Sequence, residues 1–409
     1  MKEVIPCPAV KKAEVDLLTL RGGRIFNRYL ANGKITLGFT TESVDGFFPK
    51  GVYYGVALRP SGRLFVCSNQ GVYYAPQGEE FLKSDSGFTA RKPFAFNPTG
   101  EESCVVGDAQ CLLTATEISR LKPFNGNIYG GVFKNGRLFG IDRDNAYKLR
   151  WSSEGGLEFN ESIFGAGWVE ITAARGEIME LAVYKQKIIV FCKYGLVALS
   201  AFGLPENYKL QYIDGAIDEF CPNSVAVAGG KLIFLTRGGL LSFDGVKLEK
   251  LEIPLVSEAQ NPVCAYGCGD EYFLSAYNGI LKKNVIFVFD IIKSAGYVID
   301  SETAAFMPRG SVHCINDKSH FTLIKGGEFT YEAAETDFDS KRYKLLKFIR
   351  AEGDGAVDVT VDCDGKLSIF GGVKGVYPLH LRGKRFKITV RGRGEVWALS
   401  AVAEVCNGI

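Results

Sequence analysis

The sequence predicts an all-β fold, namely a β-propeller of six or seven blades, with seven fitting better, followed by a small antiparallel β-sandwich. Three observations carry this prediction. The 409 residues include 48 glycines and 12% aromatic residues, and this excess favours strands joined by tight turns. Turn-like segments recur along most of the chain at intervals of 36 to 50 residues. After residue 335 the pattern changes to longer strands with strict alternation, as in residues 357–362, VDVTVD.

The repeating unit consists of an apolar strand, a turn of Gly, Asn or Asp, a second apolar strand, and a third that often ends at Gly. Residues 231–245, KLIFLTRGGLLSFDG, form a clear copy. Turns of this kind give hairpins the twist that antiparallel sheets require. About four short strands per repeat are typical of propeller blades, which bury edges that a lone small sheet would expose. The turn positions that define seven units are Gly62, Gly100, Gly136, Gln186, Gly230, Asp270 and Asp317.

These patterns divide the chain into three parts. Residues 46–334 hold the repeats and are assigned to the propeller. Residues 335–409 are assigned to the C-terminal sandwich, because period-two alternation over longer strands suits a two-layer antiparallel structure. Residues 1–45 match the repeat poorly, and they form either an N-terminal arm or the strand that closes the ring.

Charge and cysteine usage exclude several classes of protein. The net charge is +2 and 23% of the residues are charged, which argues against a disordered chain, a polybasic tail or an acidic solvating protein. Eleven scattered cysteines with no Cys-x-x-Cys pair indicate a reducing compartment and no metal site. Charged residues interrupt the first twenty positions, and no apolar run approaches 18 residues, so we expect neither a signal peptide nor a membrane span.

No catalytic residue, cofactor motif or metal site is predicted. The three histidines, His313, His320 and His380, lie in apparent strands without a nucleophile motif, and no phosphate-binding glycine loop follows a strand. The loop-like segments 142–145 and 362–365 fit hairpin turns better than calcium loops. Residues 147–159 resemble the Asp-box hairpin of sialidase-like propellers, with Glu154 for the Asp and Phe159 for the Trp, and that hairpin stabilises a turn.

A basic cluster near the C-terminus is the one candidate docking site. Residues 336–409 carry thirteen Lys and Arg against nine Asp and Glu, and one strand presents its charges on one face and apolar residues on the other. The cluster could dock on an acidic partner or a DNA backbone, although a solvated strand face explains it as well. Its members are Arg382, Lys384, Arg385, Lys387, Arg391 and Arg393.

Two stretches carry a family resemblance: Arg150-Trp151-Ser152-Ser153 ahead of Phe159, and residues 236–245, TRGGLLSFDG. They resemble segments of the propeller proteins of tailed bacteriophages and prophages, among them packaged-DNA stabilisation and head-to-tail completion proteins. The segment 337–342, DFDSKR, and the alternating strands after it are similar to the small sandwich that follows the propeller in such proteins.

The resemblance implies a non-enzymatic structural protein of the phage neck or tail. Such a protein would be made in the bacterial cytoplasm and then built into the virion, where its propeller loop faces would bind other virion or tail proteins, with self-association also open. The alternative is a propeller that binds or hydrolyses carbohydrate. A face with converging carboxylates, Arg and aromatic rings would favour that alternative.

Overall fold

The structure is a computed structural model, and strands make up 60% of the chain and helices 3%. It describes residues 11–20, 23–31, 33–44, 53–58, 64–68, 71–75, 82–83, 92–93, 103–106, 110–113, 122–123, 126–155, 157–309, 311–316 and 319–405. Between residues 53 and 123 the description is limited to strands and their pairing. The predicted turn positions Gly62, Gly100 and Asp317 lie outside the described residues.

The strands of the described residues are, in chain order, β1 Lys11–Asp16, β2 Arg24–Phe26, β3 Tyr29–Ala31, β4 Lys34–Thr36, β5 Phe39–Ser43, β6 Tyr53–Leu58, β7 Leu64–Ser68, β8 Gly71–Ala75, β9 Leu82–Lys83, β10 Lys92–Pro93, β11 Ser103–Val106, β12 Gln110–Leu113, β13 Lys122–Pro123, β14 Ile128–Lys134, β15 Arg137–Asp142, β16 Lys148–Trp151, β17 Gly167–Glu170, β18 Ile178–Tyr184, β19 Lys187–Cys192, β20 Gly195–Ser200, β21 Lys209–Tyr212, β22 Ala226–Ala228, β23 Lys231–Thr236, β24 Gly239–Phe243, β25 Leu248–Lys250, β26 Ala259–Cys268, β27 Glu271–Asn278, β28 Lys283–Asp290, β29 Ala295–Ile299, β30 Ala305–Arg309, β31 Ser311–Ile315, β32 His320–Lys325, β33 Phe329–Glu332, β34 Lys344–Gly353, β35 Val357–Cys363, β36 Lys366–Val373, β37 Gly375–Gly383, β38 Phe386–Gly392 and β39 Val396–Val405. Short 3-10 helices lie at Ala173–Arg175, Pro205–Asn207 and Val256–Glu258.

The chain divides into two compact units. One comprises Met1–Thr41, Ala295–Asp300 and Ile324–Ile409, and the other comprises Glu42–Ser294 and Ser301–Leu323. We call them the terminal unit and the repeat unit. The predicted boundaries at residues 45 and 334 stay predictions.

Antiparallel sheets built from consecutive strands make up the repeat unit. Four-stranded sheets follow one another as β6 to β9, β10 to β13, β14 to β17, β18 to β21 and β22 to β25. Strands β26, β27 and β28 pair in the same way, as do β30, β31 and β32. The backbone N–H of Val44 donates to the carbonyl of His320 at 3.0 Å, so the end of the N-terminal segment lies beside β32.

Tight turns join the first two strands of these sheets at the predicted positions. Asn135 and Gly136 have φ angles of 49° and 72°, and Lys185 and Gln186 have φ angles of 43° and 64°. Residues 229–230, Gly-Gly, have φ angles of 57° and 70°. Two successive positive φ values are the geometry of a type I′ turn, which matches the twist of the strands it joins. The Gly and Asn found at most of these positions adopt it at low cost.

The core of the repeat unit lies between neighbouring sheets. Strand β19 is buried on both faces: Ile188 and Val190 pack into a cluster with Trp151 of β16, whereas Ile189 and Phe191 pack with residues of β23 and β24. Because both faces of such a strand are covered, its sequence reads as a continuous apolar run. This packing explains the Ile-Ile-Val and Leu-Ile-Phe segments that the repeat pattern predicted as strands.

The strands of the terminal unit lie in two sheets, with six strands of the unit in each. In one, β3, β4, β39, β34 and β37 follow in that order and β1 also pairs with β39, so that Lys11 lies opposite Val405. In the other, the order is β29, β2, β33, β38, β35 and β36. Strand β35 alternates buried and accessible residues along its whole length, which is the pattern of a strand with one face on a core.

A buried cation holds parts of the terminal unit together. The Arg28 side chain is fully buried, and its guanidinium donates to the carbonyls of Gly38 at 3.3 Å and of Gly327 and Arg393 at 2.7 Å. Burial lowers the pKa of Arg28. Three carbonyls from distant parts of the sequence thus share one donor group.

Candidate functional site

The turns of the repeat unit fall at two ends of its sheets. Because consecutive strands alternate in direction, the first and third connections of each sheet lie at one end, and the second connection lies at the other. We call the first of these the tip end. In the sheets that start at β14, β18, β22 and β26, the third connections are residues 152–166, 201–208, 244–247 and 291–294.

Each of these third connections carries a large apolar side chain in solvent. Phe164 is 78% exposed, Phe202 82%, Val246 79% and Ile292 66%. We call these four residues the apolar tips. Exposing large apolar side chains to water is unfavourable, so this repeated set is the candidate binding surface of the repeat unit.

Contacts between successive sheets repeat at the tip end. The Asn135 amide donates to the Ala201 carbonyl at 2.5 Å, and the Lys185 ammonium donates to the Asp244 carbonyl at 2.5 Å. A methyl group on Gly229 would lie 3.6 Å from side-chain carbons of Ile291 and Ile292. In each case the first turn of one sheet contacts the third connection of the next, so Phe202, Val246 and Ile292 stand in equivalent positions.

The first apolar tip is anchored by the hairpin that resembles an Asp box. Arg137 has 2% of its side chain exposed and donates to the carbonyls of Ser152 at 3.1 Å and Gly165 at 2.6 Å. The Ser152 hydroxyl accepts the backbone N–H of Leu138 at 3.0 Å. Gly165 follows Phe164 directly and has a φ of 87°. Arg137 therefore fixes the backbone that presents the Phe164 ring.

Two further tips are held by aspartate turns. The Asp244 carboxylate accepts the backbone N–H groups of Val246 and Lys247, both at 2.8 Å, and these bonds lower the pKa of Asp244. The Asp290 carboxylate accepts the N–H groups of Ile292 at 3.1 Å and Lys293 at 2.8 Å. Such Asx turns hold the apolar residue outward without a side-chain contact of its own.

At the opposite end, a different contact recurs from sheet to sheet. The carbonyls of Glu177, Glu219 and Glu258 accept the backbone N–H groups of Lys193, Arg237 and Gly279, each at 2.9 Å. The Glu219 side chain also pairs with Arg237 at 2.9 Å and Lys193 at 3.6 Å. These contacts link the segment that leads into each sheet to the second turn of the same sheet.

A cavity of about 600 Å³ opens at this opposite end. It lies between the turn 236–239 and the segment 250–261, and its charged lining residues are Arg237, Lys250 and Glu252. Glycoside hydrolysis by the usual route needs a pair of carboxylates, and Glu252 is the one carboxylate in this lining. The carbohydrate alternative stays a prediction.

The basic cluster lies on the terminal unit, and all six of its side chains are exposed. Arg382 and Lys384 lie over the ring of Tyr343, 5.5 Å and 4.9 Å from its centroid. The Asp364 carboxylate accepts the backbone N–H groups of Lys384 at 2.8 Å and Arg385 at 3.0 Å, and these bonds lower the pKa of Asp364. The turn between β37 and β38 is thereby fixed.

Acidic neighbours balance much of the charge of this cluster. Arg385 lies 3.4 Å from Glu335, Lys387 lies 3.2 Å from Glu332, and Arg393 lies 2.9 Å from Glu328. Arg391 faces Asp358 on β35 in the strand register. A surface of paired charges attracts an acidic partner less strongly than the same cations would alone, so the role of the cluster in docking stays a prediction.

The histidines and cysteines are the remaining candidates for catalytic or metal-binding residues. His313 and His320 are neighbours, with Nδ1 of the first 2.8 Å from Nε2 of the second, and His380 is exposed on β37. Burial raises the pKa of Cys192 to about 12, as expected for a thiol in an apolar core. Within the described residues, no three His, Cys, Asp or Glu side chains are grouped as metal ligands. Among the helices described, none is long and apolar enough to cross a membrane.

Sequence reasoning missed the apolar tips, although two of them share a signal. Residues 244–247, DGVK, and 290–293, DIIK, both place an apolar residue two positions after an aspartate and a lysine directly after that. The aspartate closes the turn, so the apolar residue at that spacing points outward. The tips Phe164 and Phe202 lie in longer loops and share no such spacing.

Comparison with known proteins supports the fold class. No protein-family model matches the chain, and no curated protein matches it. Among solved structures, a streptogramin B lyase aligns with a TM-score of 0.53 and 10% identity, over 70% of this chain and 98% of its own. A catalytically inactive variant of virginiamycin B lyase from Staphylococcus aureus, with quinupristin, aligns with a TM-score of 0.54, 10% identity and the same coverage. BamB from Moraxella catarrhalis aligns at 0.44 with 10% identity, over 77% of this chain and 99% of its own.

The two lyases are β-propeller proteins, so the all-β, propeller-like prediction is confirmed. At 10% identity the likeness concerns the fold. It does not decide whether this chain is an enzyme, and it does not bear on a phage origin.

Proposed function

We propose that the protein is a non-enzymatic structural component of a tailed phage or prophage particle, placed in its neck or tail. In this proposal the chain forms a seven-bladed propeller followed by a sandwich, and it acts as an assembly scaffold. Successive sheets beginning at β6, β10, β14, β18, β22, β26 and β30 support seven blades. The two sheets of the terminal unit, with their alternating burial, support the sandwich.

The observation that carries the proposal is the set of apolar tips. Four successive repeats each expose one large apolar side chain, between 66% and 82% exposed, at the same end of the sheets. Three of the four turns are fixed by side-chain hydrogen bonds, which Arg137 donates and which Asp244 and Asp290 accept. A rigid surface with apolar anchors loses little conformational entropy on binding, which suits a permanent protein interface.

The first test is whether the chain is part of a particle. The prophage of the host is induced, particles are purified on a density gradient, and the chain is quantified by mass spectrometry. We expect it at a fixed copy number per particle. Its absence from intact particles would overturn the assignment to a virion.

The second test asks whether the apolar tips are the docking surface. The double variant Phe202→Asp/Val246→Asp is compared with Ile280→Asp, which changes a 58% exposed apolar residue on the second turn of its sheet, at the opposite end. We expect the double variant to lower the copy number in particles at least about tenfold, since buried apolar anchors dominate such interfaces. Normal incorporation of the double variant, or an equal loss with the control, would refute the role of the tips.

A further inference from the structure

The outer strand of one sheet in the terminal unit has the features of a pairing edge. Among the described strands, β36 pairs with β35 and with no other. An edge strand presents unpaired N–H and C=O groups along one side, and natural proteins usually protect such an edge with charges, proline or bulges. The central residues of β36 are 367–370, LSIF, and they include no charge and no proline, while the register shift of β36 against β35 lies after them, between Phe370 and Val373.

The same strand exposes two large apolar side chains on one face. Leu367 and Ile369 are 66% and 75% exposed. They lie opposite Asp362 and Thr360 of β35, whereas the neighbouring pairs join Ser368 to Val361 and Phe370 to Val359. Val359 and Val361 are fully buried, so Leu367 and Ile369 project from the outer face of the sheet.

From this edge we infer that two copies of the chain associate by antiparallel pairing of β36 with β36 about a two-fold axis at Ser368. The partner is a second copy because the strand is complementary to itself in this register. Leu367 of each copy lies opposite Ile369 of the other on the outer face, which forms two apolar cross-strand pairs. Lys366 lies opposite Phe370, so no like charges face each other.

Shifted registers lose this complementarity. A two-fold axis at Leu367 would place each Ile369 opposite Gly365, and an axis at Ile369 would place each Leu367 opposite Gly371. Either shift leaves an apolar side chain without an apolar partner. The pairing at Ser368 is therefore the register that the sequence of the strand favours.

The inference goes beyond the proposed function and does not depend on a place in a particle. Its test uses the purified full chain in light scattering coupled to gel filtration, over a range of concentrations. We expect the mass of a dimer for the natural chain. For Ile369→Lys we expect an increase in the dissociation constant of at least about tenfold, because the lysine would face Leu367 of the other copy.

The matched control is Ile280→Lys, which changes another exposed apolar residue, 58% exposed, in the repeat unit and outside the apolar tips. It should leave the dimer intact. Circular dichroism verifies that each variant is folded, as expected for substitutions at exposed positions. A monomer at every concentration, a dimer that Ile369→Lys does not weaken, or equal weakening by the control would each overturn the inference.

Cross-linking gives a second measurement that does not rely on a variant. In the proposed register the two Lys366 residues are offset by four positions, about 14 Å along the strands, which an amine-reactive cross-linker spans. A link between two identical Lys366 peptides can form only between two chains. We expect this link in the dimer fraction, and a dimer fraction without it would refute the register.

Discussion

Replacing Arg137 tests whether the first apolar tip is held by buried hydrogen bonds. In Arg137→Met, the carbonyls of Ser152 and Gly165 lose their donor, while the methionine retains much of the apolar stem. A hydrogen bond to a charged group is worth about 1.5–3 kcal/mol, so the loss of two predicts local destabilisation of at least about 3 kcal/mol. By contrast, the ion pair of Arg137 with Glu154 at 3.4 Å contributes little, because Glu154 is 69% exposed.

Hydrogen exchange followed by mass spectrometry measures this effect where it occurs. A local loss of about 3 kcal/mol corresponds to exchange about 100-fold faster in residues 152–166. Glu154→Gln removes the ion pair alone and serves as the control, with an expected change of less than about threefold. If Arg137→Met leaves the exchange of this loop unchanged, or if Glu154→Gln has the same effect, the anchoring role of Arg137 is wrong.

Three other substitutions test the packing, the turns and the buried cation. Gly267→Ala should destabilise the repeat unit by more than about 2 kcal/mol in thermal unfolding, because its methyl group would lie 1.8 Å from the Val227 carbonyl oxygen. Gly355→Ala, where the structure leaves the space open, should be neutral. Asp244→Ala should speed exchange at the Val246 amide. Since the folded-state pKa of Asp244 is lowered, its contribution is complete above about pH 4 and is lost as the pH falls through the lowered value, so variant and natural chain should converge in acid. Arg28→Met should destabilise the terminal unit by about 3 kcal/mol or more, since three carbonyls lose their donor, whereas exposed Lys374→Met should have no effect.

The repeats were predictable because their determinants are local. Turn residues such as Asn135 and Gly136 predict a type I′ hairpin from the sequence alone. The Ile-Ile-Val run of β19 reflects burial on both faces of the strand, and a strand buried in this way is recognisable as a continuous hydrophobic run. Each of these patterns lies within about ten consecutive residues, so it can be recognised in the sequence without knowledge of long-range contacts.

The association of the chain ends depends on contacts that no local pattern encodes. Strand β1 pairs with β39 across almost the whole chain, with Lys11 opposite Val405, and neither strand specifies the other by its spacing. Arg28 illustrates the same limit. From the sequence, an arginine beside an asparagine between two short strands is expected at the surface. Its burial depends on carbonyls contributed by residues 38, 327 and 393.

The candidate site also has features that the sequence shows directly and features that depend on distant contacts. The basic cluster was found because charge is visible in a sequence, yet the glutamates that balance three of its members, Glu328, Glu332 and Glu335, precede their partners by 50 to 65 residues. The apolar tips escaped notice because an apolar residue in a β-rich chain is expected inside. Their exposure depends on which end of a hairpin they occupy, and on the aspartate that turns Val246 outward.

The interior of the repeat unit also determines where a binding surface can arise. Strands buried on both faces, such as β19, tolerate few changes, because each side chain packs into one of two clusters. The turns are not constrained by core packing. A turn without fixing contacts, however, would be mobile and would lose conformational entropy on binding. Arg137, Asp244 and Asp290 remove that cost in advance by fixing the turns that carry Phe164, Val246 and Ile292. Rigid turns with exposed apolar residues add nothing to the stability of an isolated chain in water, and they are the arrangement that the proposed docking function requires.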